Sequence, residues 1–356
     1  MTQQSHVANE MPLVSLIMPA YNAEAFIGEA IDSVLRQTYP NWELVVINDS
    51  STDRTVDIVQ RYLDPRIRLV HAPHRLGRPS AVRNLGFEVT RGDFIANLDA
   101  DDRFFPNSLE MLLLPFSWRP DILAVYGYPS RIEPTGEPSP DEPVACGYLG
   151  YIFEGYNPNL YPPDNWETRL KSFFYWSGLM IRREVLEIIG PADETLVGAE
   201  DLDFFFRLFF HDVYRIVRLN RPVYEYRKND ASLTRTLSKS RQLAEDELHV
   251  LKWIFAQPHF PRGALKYRSK ALAYRYFLNA RAHLLAGETK WTQRILAFAW
   301  DDADINKVDW ARYLGQLALR TYLPANLDSQ LRQLKRLLRP LRGANPELLG
   351  RSTPLA

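Results

Sequence analysis

Val14-Ser15-Leu16-Ile17-Met18-Pro19-Ala20-Tyr21-Asn22 and Phe94-Ile95-Ala96-Asn97-Leu98-Asp99-Ala100-Asp101-Asp102 share one design, an apolar run that breaks off into polar residues. Short continuous apolar runs bounded in this way read as strands buried on both faces, the habit of parallel strands covered by helices. Leu44-Val45-Val46-Ile47 repeats the pattern and ends in Asn48-Asp49-Ser50-Ser51-Thr52-Asp53, and Ile67-Arg68-Leu69-Val70 supplies a further run.

The intervening segments have helical period. Between Glu24 and Gln37, Ile27, Ala30, Ile31, Val34 and Leu35 fall on one stripe, and Pro40 ends it. Val56, Ile58, Val59, Tyr62 and Leu63 mark a second helix, and a third is expected near Ser80–Glu88. This β-α alternation predicts an α/β fold with right-handed crossovers and a mostly parallel sheet, whose ligands bind beyond the carboxyl ends of the strands. Pro19-Ala20-Tyr21-Asn22, Asn48-Asp49-Ser50 and Asp99-Ala100-Asp101-Asp102 each follow a strand, so their loops are expected to meet at one edge of the sheet.

Composition is that of a globular chain longer than one typical domain: 356 residues, 46% apolar and 24% charged. Lys+Arg and Asp+Glu balance at 43 each, so no net charge argues for nucleic acid as a partner. The single cysteine, Cys146, excludes an intrachain disulfide framework and a cysteine-based zinc site. The opening residues lack a signal-peptide pattern and no apolar run approaches the ~20 residues of a membrane span, so a cytoplasmic protein is expected.

Carboxylates crowded at Asp99, Asp101 and Asp102 repel one another, and a cation is the usual neutraliser. Oxygen-only ligands suit Mg2+ or Mn2+, which share phosphate oxygens with a substrate, so the cluster points to a diphosphate. Capping of the following helix is the alternative use of such aspartates.

Taken together, Leu13–Asn22, Gln37–Asp53, Gly86–Asp102 and Gly198–Arg207 resemble the family 2 glycosyltransferases, over roughly residues 12–235. That resemblance implies the GT-A fold, a Rossmann-like mixed sheet flanked by helices, and inverting transfer of a sugar from a nucleotide-diphospho-sugar, UDP-sugars being favoured. It implies that Ala20 and Tyr21 line the nucleotide base, that Asp49 hydrogen-bonds the base, and that Arg83 approaches the nucleotide. Asn48 and Ser50 depart from the family's Asp-Asp-Gly-Ser pattern. By the same resemblance Asp99 serves the ribose and the metal approach, Asp101 and Asp102 the metal and sugar, and Asp201, in Glu200-Asp201-Leu202-Asp203-Phe204, is the base. Glu200 and Trp176 are weaker candidates on the acceptor or sugar side, Trp176 by stacking or else as core. A carboxylate at a helix start is favoured in its charged form, so Asp201 needs burial or acidic neighbours to act as a base.

Residues 1–11 are then expected as a flexible N-terminus, 12–237 as the catalytic domain and 238–356 as a helical extension containing Leu243–Phe255, Ala264–Leu285 and Trp291–Trp300. Within the catalytic domain, 129–164 reads as a loop-rich insertion, Phe173–Ile181 as a strand, and Tyr226-Arg227-Lys228 falls where relatives carry a mobile loop. Residues 331–342 interleave leucines with Arg332, Lys335, Arg336, Arg339 and Arg342, which suits either peripheral contact with an anionic membrane or packing with a solvated basic face. By the same resemblance, the absence of a Gln-x-x-Arg-Trp segment and of membrane spans implies addition of a single sugar rather than processive synthesis, with a lipid-linked or other glycan acceptor expected. A dinucleotide-binding oxidoreductase would want Gly-x-Gly-x-x-Gly after the first strand, a glycoside hydrolase would need no nucleotide loop, and a catalytically degenerate scaffold is the non-enzymatic alternative.

Overall fold

The apolar runs pair as strands in the computed structural model, which describes residues 11–139, 176–212, 215–229, 241–258, 268–285, 289–308 and 310–311. β1 (Val14–Ala20), β2 (Trp42–Asn48), β3 (Ile67–His71) and β4 (Phe94–Asn97) lie parallel in the order β3-β2-β1-β4. The sheet continues through β7 (Leu179–Arg182), β6 (Ala124–Ile132), β8 (Ile216–Arg227) and β5 (Arg103–Phe104). Here β7 runs antiparallel to both neighbours and β5 antiparallel to β8, while the other six strands point one way, so the sheet is mostly parallel and mixed, as the GT-A resemblance implies.

Alternate residues of the strands feed two cores. Leu16, Met18, Leu44, Val46 and Ala96 pack under α1 (Ile27–Leu35) and α4 (Ser108–Trp118). Ile17, Val45, Ile47 and Ile95 face α3 (Pro79–Val89) and α6 (Glu200–Asp212). Side chains of this kind, fully withdrawn from water, contribute about 1.5–3 kcal/mol each, and the polar strand residues Ser15 and Glu43 are buried as a hydrogen-bonded pair at 2.6 Å. α3 lies close on β1 because Gly86 has no side chain: a Cβ there would sit 2.5 Å from Ile17 Cγ2.

Three expectations change. α1 begins at Ile27 rather than Glu24, because the amides of Ala23 and Glu24 donate to Thr55 and Asp53 of a neighbouring loop instead of turning a helix. β6 runs on through Pro129 to Ile132, where a loop was expected; the pairing with β8 is irregular between Tyr128 and Pro129, the kind of site that tolerates proline in a sheet. Tyr226 and Arg227 close β8 and are not a loop.

Beyond the sheet come α2 (Thr55–Val59), α5 (Val185–Ile189), α7 (Arg241–Ala256), α8 (Arg268–Leu285) and α9 (Thr289–Asp301). Val250, Ile254, Leu272, Tyr276 and Trp310 belong to the same buried cluster as Phe204 and Phe205 of α6, so these helices share a core with the sheet. The boundary expected at 238 lies outside the described residues, as do residues 1–10, Cys146, most of 129–164 and all of 331–342. Among the described residues no helix is long and apolar enough to cross a membrane.

Candidate active site

The parallel register sets Ala20 beside Asn48 and Ile17 beside Asn97, so the loops after β1, β2 and β4 share one edge of the sheet. The first two are zipped together. Asn22 Oδ1 accepts from the Thr52 amide at 2.8 Å, the Asn22 amide donates to Ser51 Oγ at 3.0 Å, and the Asp49 amide donates to the Ala20 carbonyl at 2.8 Å. Asn22 and Ser50 have φ of 48° and 60°, left-handed conformations that cost a non-glycine residue about 1–2 kcal/mol. Ser50 thus stands, strained, where the family pattern has glycine.

Asp49 is buried and accepts the amides of Leu76 (2.6 Å) and Gly77 (2.9 Å), tying the loop after β3 to the end of β2. Tyr21 is 40% exposed and the Arg75 guanidinium lies 3.7 Å from its ring centroid, at the mouth of the same cleft. Ala20 is buried behind it.

Arg83 is the hub. Buried on α3, it donates to Asp99 Oδ1 at 2.6 Å and to Glu200 Oε1 at 3.3 Å, and lies 5.0 Å from the Trp176 ring centroid. Residues distant in sequence thereby meet: the acidic cluster after β4, the start of α6 and the chain entering β7. Beneath them the Asn97 amide, Ser80 Oγ and Arg83 Nε are buried with hydrogen-bonding capacity that no protein group meets.

The three aspartates diverge. Asp99 keeps a side chain 39% exposed, and its amide donates to Ser177 Oγ at 3.0 Å. Burial, then the charge of Asp99, raises the pKa of Asp101, whose Oδ2 accepts from Asn229 at 3.2 Å. Asp102 is 2% exposed and accepts the Arg227 amide at 3.1 Å; burial and its two acidic neighbours push its pKa well up. Asp102, expected beside the metal, is thus turned inward against the end of β8. Asp99 and Asp101 remain as mutually repelling carboxylates, a donor set that fits Mg2+ or Mn2+ when substrate phosphates complete the shell. Among the described residues no group of three or more acidic, histidine or cysteine side chains is arranged to hold an ion unaided.

Arg227, absent from the sequence-derived site, locks this loop. It is 1% exposed, and it donates to the Asp101 carbonyl (2.9 Å), the Pro134 carbonyl (2.8 Å) and Glu29 (2.8 Å). Its signal in sequence is the alternation Tyr224-Glu225-Tyr226-Arg227, a strand pattern where a loop was expected.

On α6, Asp201 is partly buried and its Oδ1 accepts the Leu202 amide at 2.7 Å. Burial above all, then the Glu200 charge, raises its pKa to about 7, so the pull of the helix start is overcome. Glu200 is also raised by burial, with Arg83 working against it. Trp176, 3% exposed, has its ring 4.8 Å from Phe204 and 6.1 Å from Phe87, so of its two expected uses the structure assigns core packing beneath Arg83 rather than an open stacking face. Ala199, just before Glu200, has φ 65°.

Comparison with known proteins gives the family and the fold. The sequence profile described as Glycosyl transferase family 2 matches residues 15–190. EpsH of Bacillus subtilis (strain 168), which carries a glycosyltransferase designation, is 32% identical over 236 residues, 65% of each chain. WfgD of Escherichia coli, a UDP-Glc:alpha-D-GlcNAc-diphosphoundecaprenol beta-1,3-glucosyltransferase, is 48% identical over 99 residues, 28% of this chain and 39% of its own. The match therefore spans less than two thirds of either relative's length. The mannosyltransferase PcManGT of Pyrobaculum calidifontis, solved with GDP-Man and Mn2+, superposes with a TM-score of 0.53 at 19% identity, covering 90% of this chain and 84% of that one. At that identity the likeness carries the fold, the mixed sheet with flanking helices of GT-A transferases.

Proposed function

The chain belongs to glycosyl transferase family 2, and from that premise we propose that it transfers a single sugar, with inversion, from a nucleotide-diphospho-sugar to a glycan or lipid-linked glycan acceptor. The observation that carries the proposal is the bridge made by Arg83, which joins the acidic cluster to Glu200-Asp201. On this proposal the bridge ties the edge that takes the diphosphate to the segment carrying Asp201, a proton acceptor whose pKa is raised to about 7.

In this reading Tyr21, Ala20 and the Asp49-bound loop seat the nucleoside, and Arg83 and Asp99 lie along the ribose and diphosphate. Asp99 and Asp101 would hold Mn2+ or Mg2+; such an ion, when bound, offsets charge on the departing diphosphate. An acceptor hydroxyl oxygen forms a bond to the anomeric carbon while the bond from that carbon to the diphosphate oxygen breaks. The hydroxyl proton passes to the Asp201 carboxylate, and the nucleoside diphosphate departs with the electron pair. A base whose pKa sits near the working pH combines ionisation with proton affinity, which suits Asp201 at about 7. UDP-sugars are the favoured donors and lipid-linked glycans the favoured acceptors, both in keeping with the name of WfgD.

The test is release of nucleoside diphosphate from UDP-, GDP- and TDP-sugars with Mn2+ or Mg2+, before and after chelation. Full activity in both Asp101→Ala and Asp201→Ala would sink the assignment.

A further inference from the structure

The segment that delivers Asp201 is held from outside the GT-A sheet. Asp246, on α7 and 5% exposed, accepts the amides of both Val197 and Gly198 on one oxygen, at 2.8 and 3.0 Å. Its other oxygen accepts from Gln242 at 2.8 Å, so both are engaged. Immediately after this doubly held stretch the chain turns through Ala199 with φ 65°, and the Ala199 carbonyl accepts the Asp203 amide at 3.0 Å, opening α6. A left-handed alanine persists only where its surroundings fix it. Here a buried carboxylate fixes the preceding amides through charge-assisted hydrogen bonds, among the stronger kind. Glu247, next on α7 and paired with Arg275 of α8 at 2.5 Å, is one of the charged groups acting on Asp201, beside Glu200 and Arg83.

We infer that Asp246 is a positioning residue: by clamping Val197 and Gly198 it sets the turn at Ala199 and hence the place of the Asp201 carboxylate in the cleft. This inference rests on the reading of Asp201 as the base. It gives the C-terminal helices a part in the reaction, since α7 supplies the clamp while the donor-side residues Asp49 and Arg83 lie on other elements. Displacement of a reacting group by about 1 Å can cost as much as 100-fold in rate.

The test is a double-mutant cycle in the full chain with Asp246→Asn and Asp201→Asn, reading kcat, donor KM and UDP affinity. Asp246→Asn is expected to lower kcat about 10- to 100-fold while donor KM and UDP affinity stay within about twofold. In an Asp201→Asn background the same change is expected to cost almost nothing further, because there is no base left to place. A kcat within twofold of the parent, a loss confined to donor KM, or an undiminished loss in the Asp201→Asn background overturns the clamp. Retained activity in Asp201→Asn alone overturns the base instead, so the two failures are distinguishable. If Asp246→Asn does not fold, Gln242→Ala at an exposed position replaces it. Freeing one carboxylate oxygen is expected to lower kcat by about threefold at unchanged donor KM, and an unchanged kcat refutes the clamp.

Discussion

Replacing Asp201 by asparagine is expected to slow turnover severely and, above neutral pH, to make the protein more stable. Burial, with the Glu200 charge adding to it, lifts the Asp201 carboxyl from 3.8 to about 7. In the unfolded chain the same group ionises near its ordinary value. Between those pH values the folded protein keeps a proton that the unfolded chain has released, so stability falls as pH rises through that window and the loss is complete above about pH 7. At about 1.4 kcal/mol per pKa unit, the charge on Asp201 costs the fold about 4 kcal/mol at pH 8. Because Glu200 shares the equilibrium, Asp201→Asn is expected to recover about 2–4 kcal/mol at pH 8 and about 1–2 kcal/mol at pH 5. Asparagine is isosteric and its Oδ1 still accepts the Leu202 amide, so no packing changes. Urea denaturation at both pH values, beside initial rates of sugar transfer, reads the two effects together. Turnover should fall about 100- to 10,000-fold. Equal stability of parent and variant at pH 8, or a gain independent of pH, refutes the reasoning that the site is strained by an ionised base.

Glu200→Gln removes the neighbouring charge that helps raise Asp201, so the acid limb of kcat/KM should move to lower pH; a limb that stays put in the pH–rate profile excludes the coupling. Gly86→Ala should lower stability by about 1–3 kcal/mol, because the added Cβ drives α3 off Ile17, and a denaturation midpoint equal to the parent's counts against that packing. Ser50→Gly should be neutral to about 1 kcal/mol more stable, and Ser50→Val about 1–2 kcal/mol less stable, because the position has φ 60°; the reverse order is incompatible with the turn. Arg227→Met should cost about 2–4 kcal/mol by leaving the Asp101 and Pro134 carbonyls without their donor, and should raise the Mn2+ concentration needed for half-maximal activity. An unaltered metal requirement would separate Arg227 from the acidic loop.

What the sequence determined by itself is whatever follows from local pattern. Val14–Ala20, Trp42–Asn48 and Phe94–Asn97 are strands because both their faces are dominated by apolar side chains, and only a helix-covered sheet buries both. Polar residues directly after such strands must gather at the carboxyl edge, so the strand pattern alone brings Asn22, Asp49 and Asp99 together. Tertiary structure alone decided how those carboxylates differ. Asp101 and Asp102 are neighbours with identical side chains, yet Asp102 turns inward to the Arg227 amide while Asp101 meets Asn229. Both partners come from the last residue of β8 and the stretch just after it, more than a hundred residues along the chain. The neutral pKa of Asp201 is likewise absent from local sequence, where a helix start argues for a strong acid; desolvation and the charge of Glu200 reverse it only once α6 is packed. Asp246 reads as one more charged residue on an amphipathic helix until folding sets it against the Val197 and Gly198 amides. Periodicity records which face of an element is buried, whereas charge, strain and proton affinity depend on what that face is buried against.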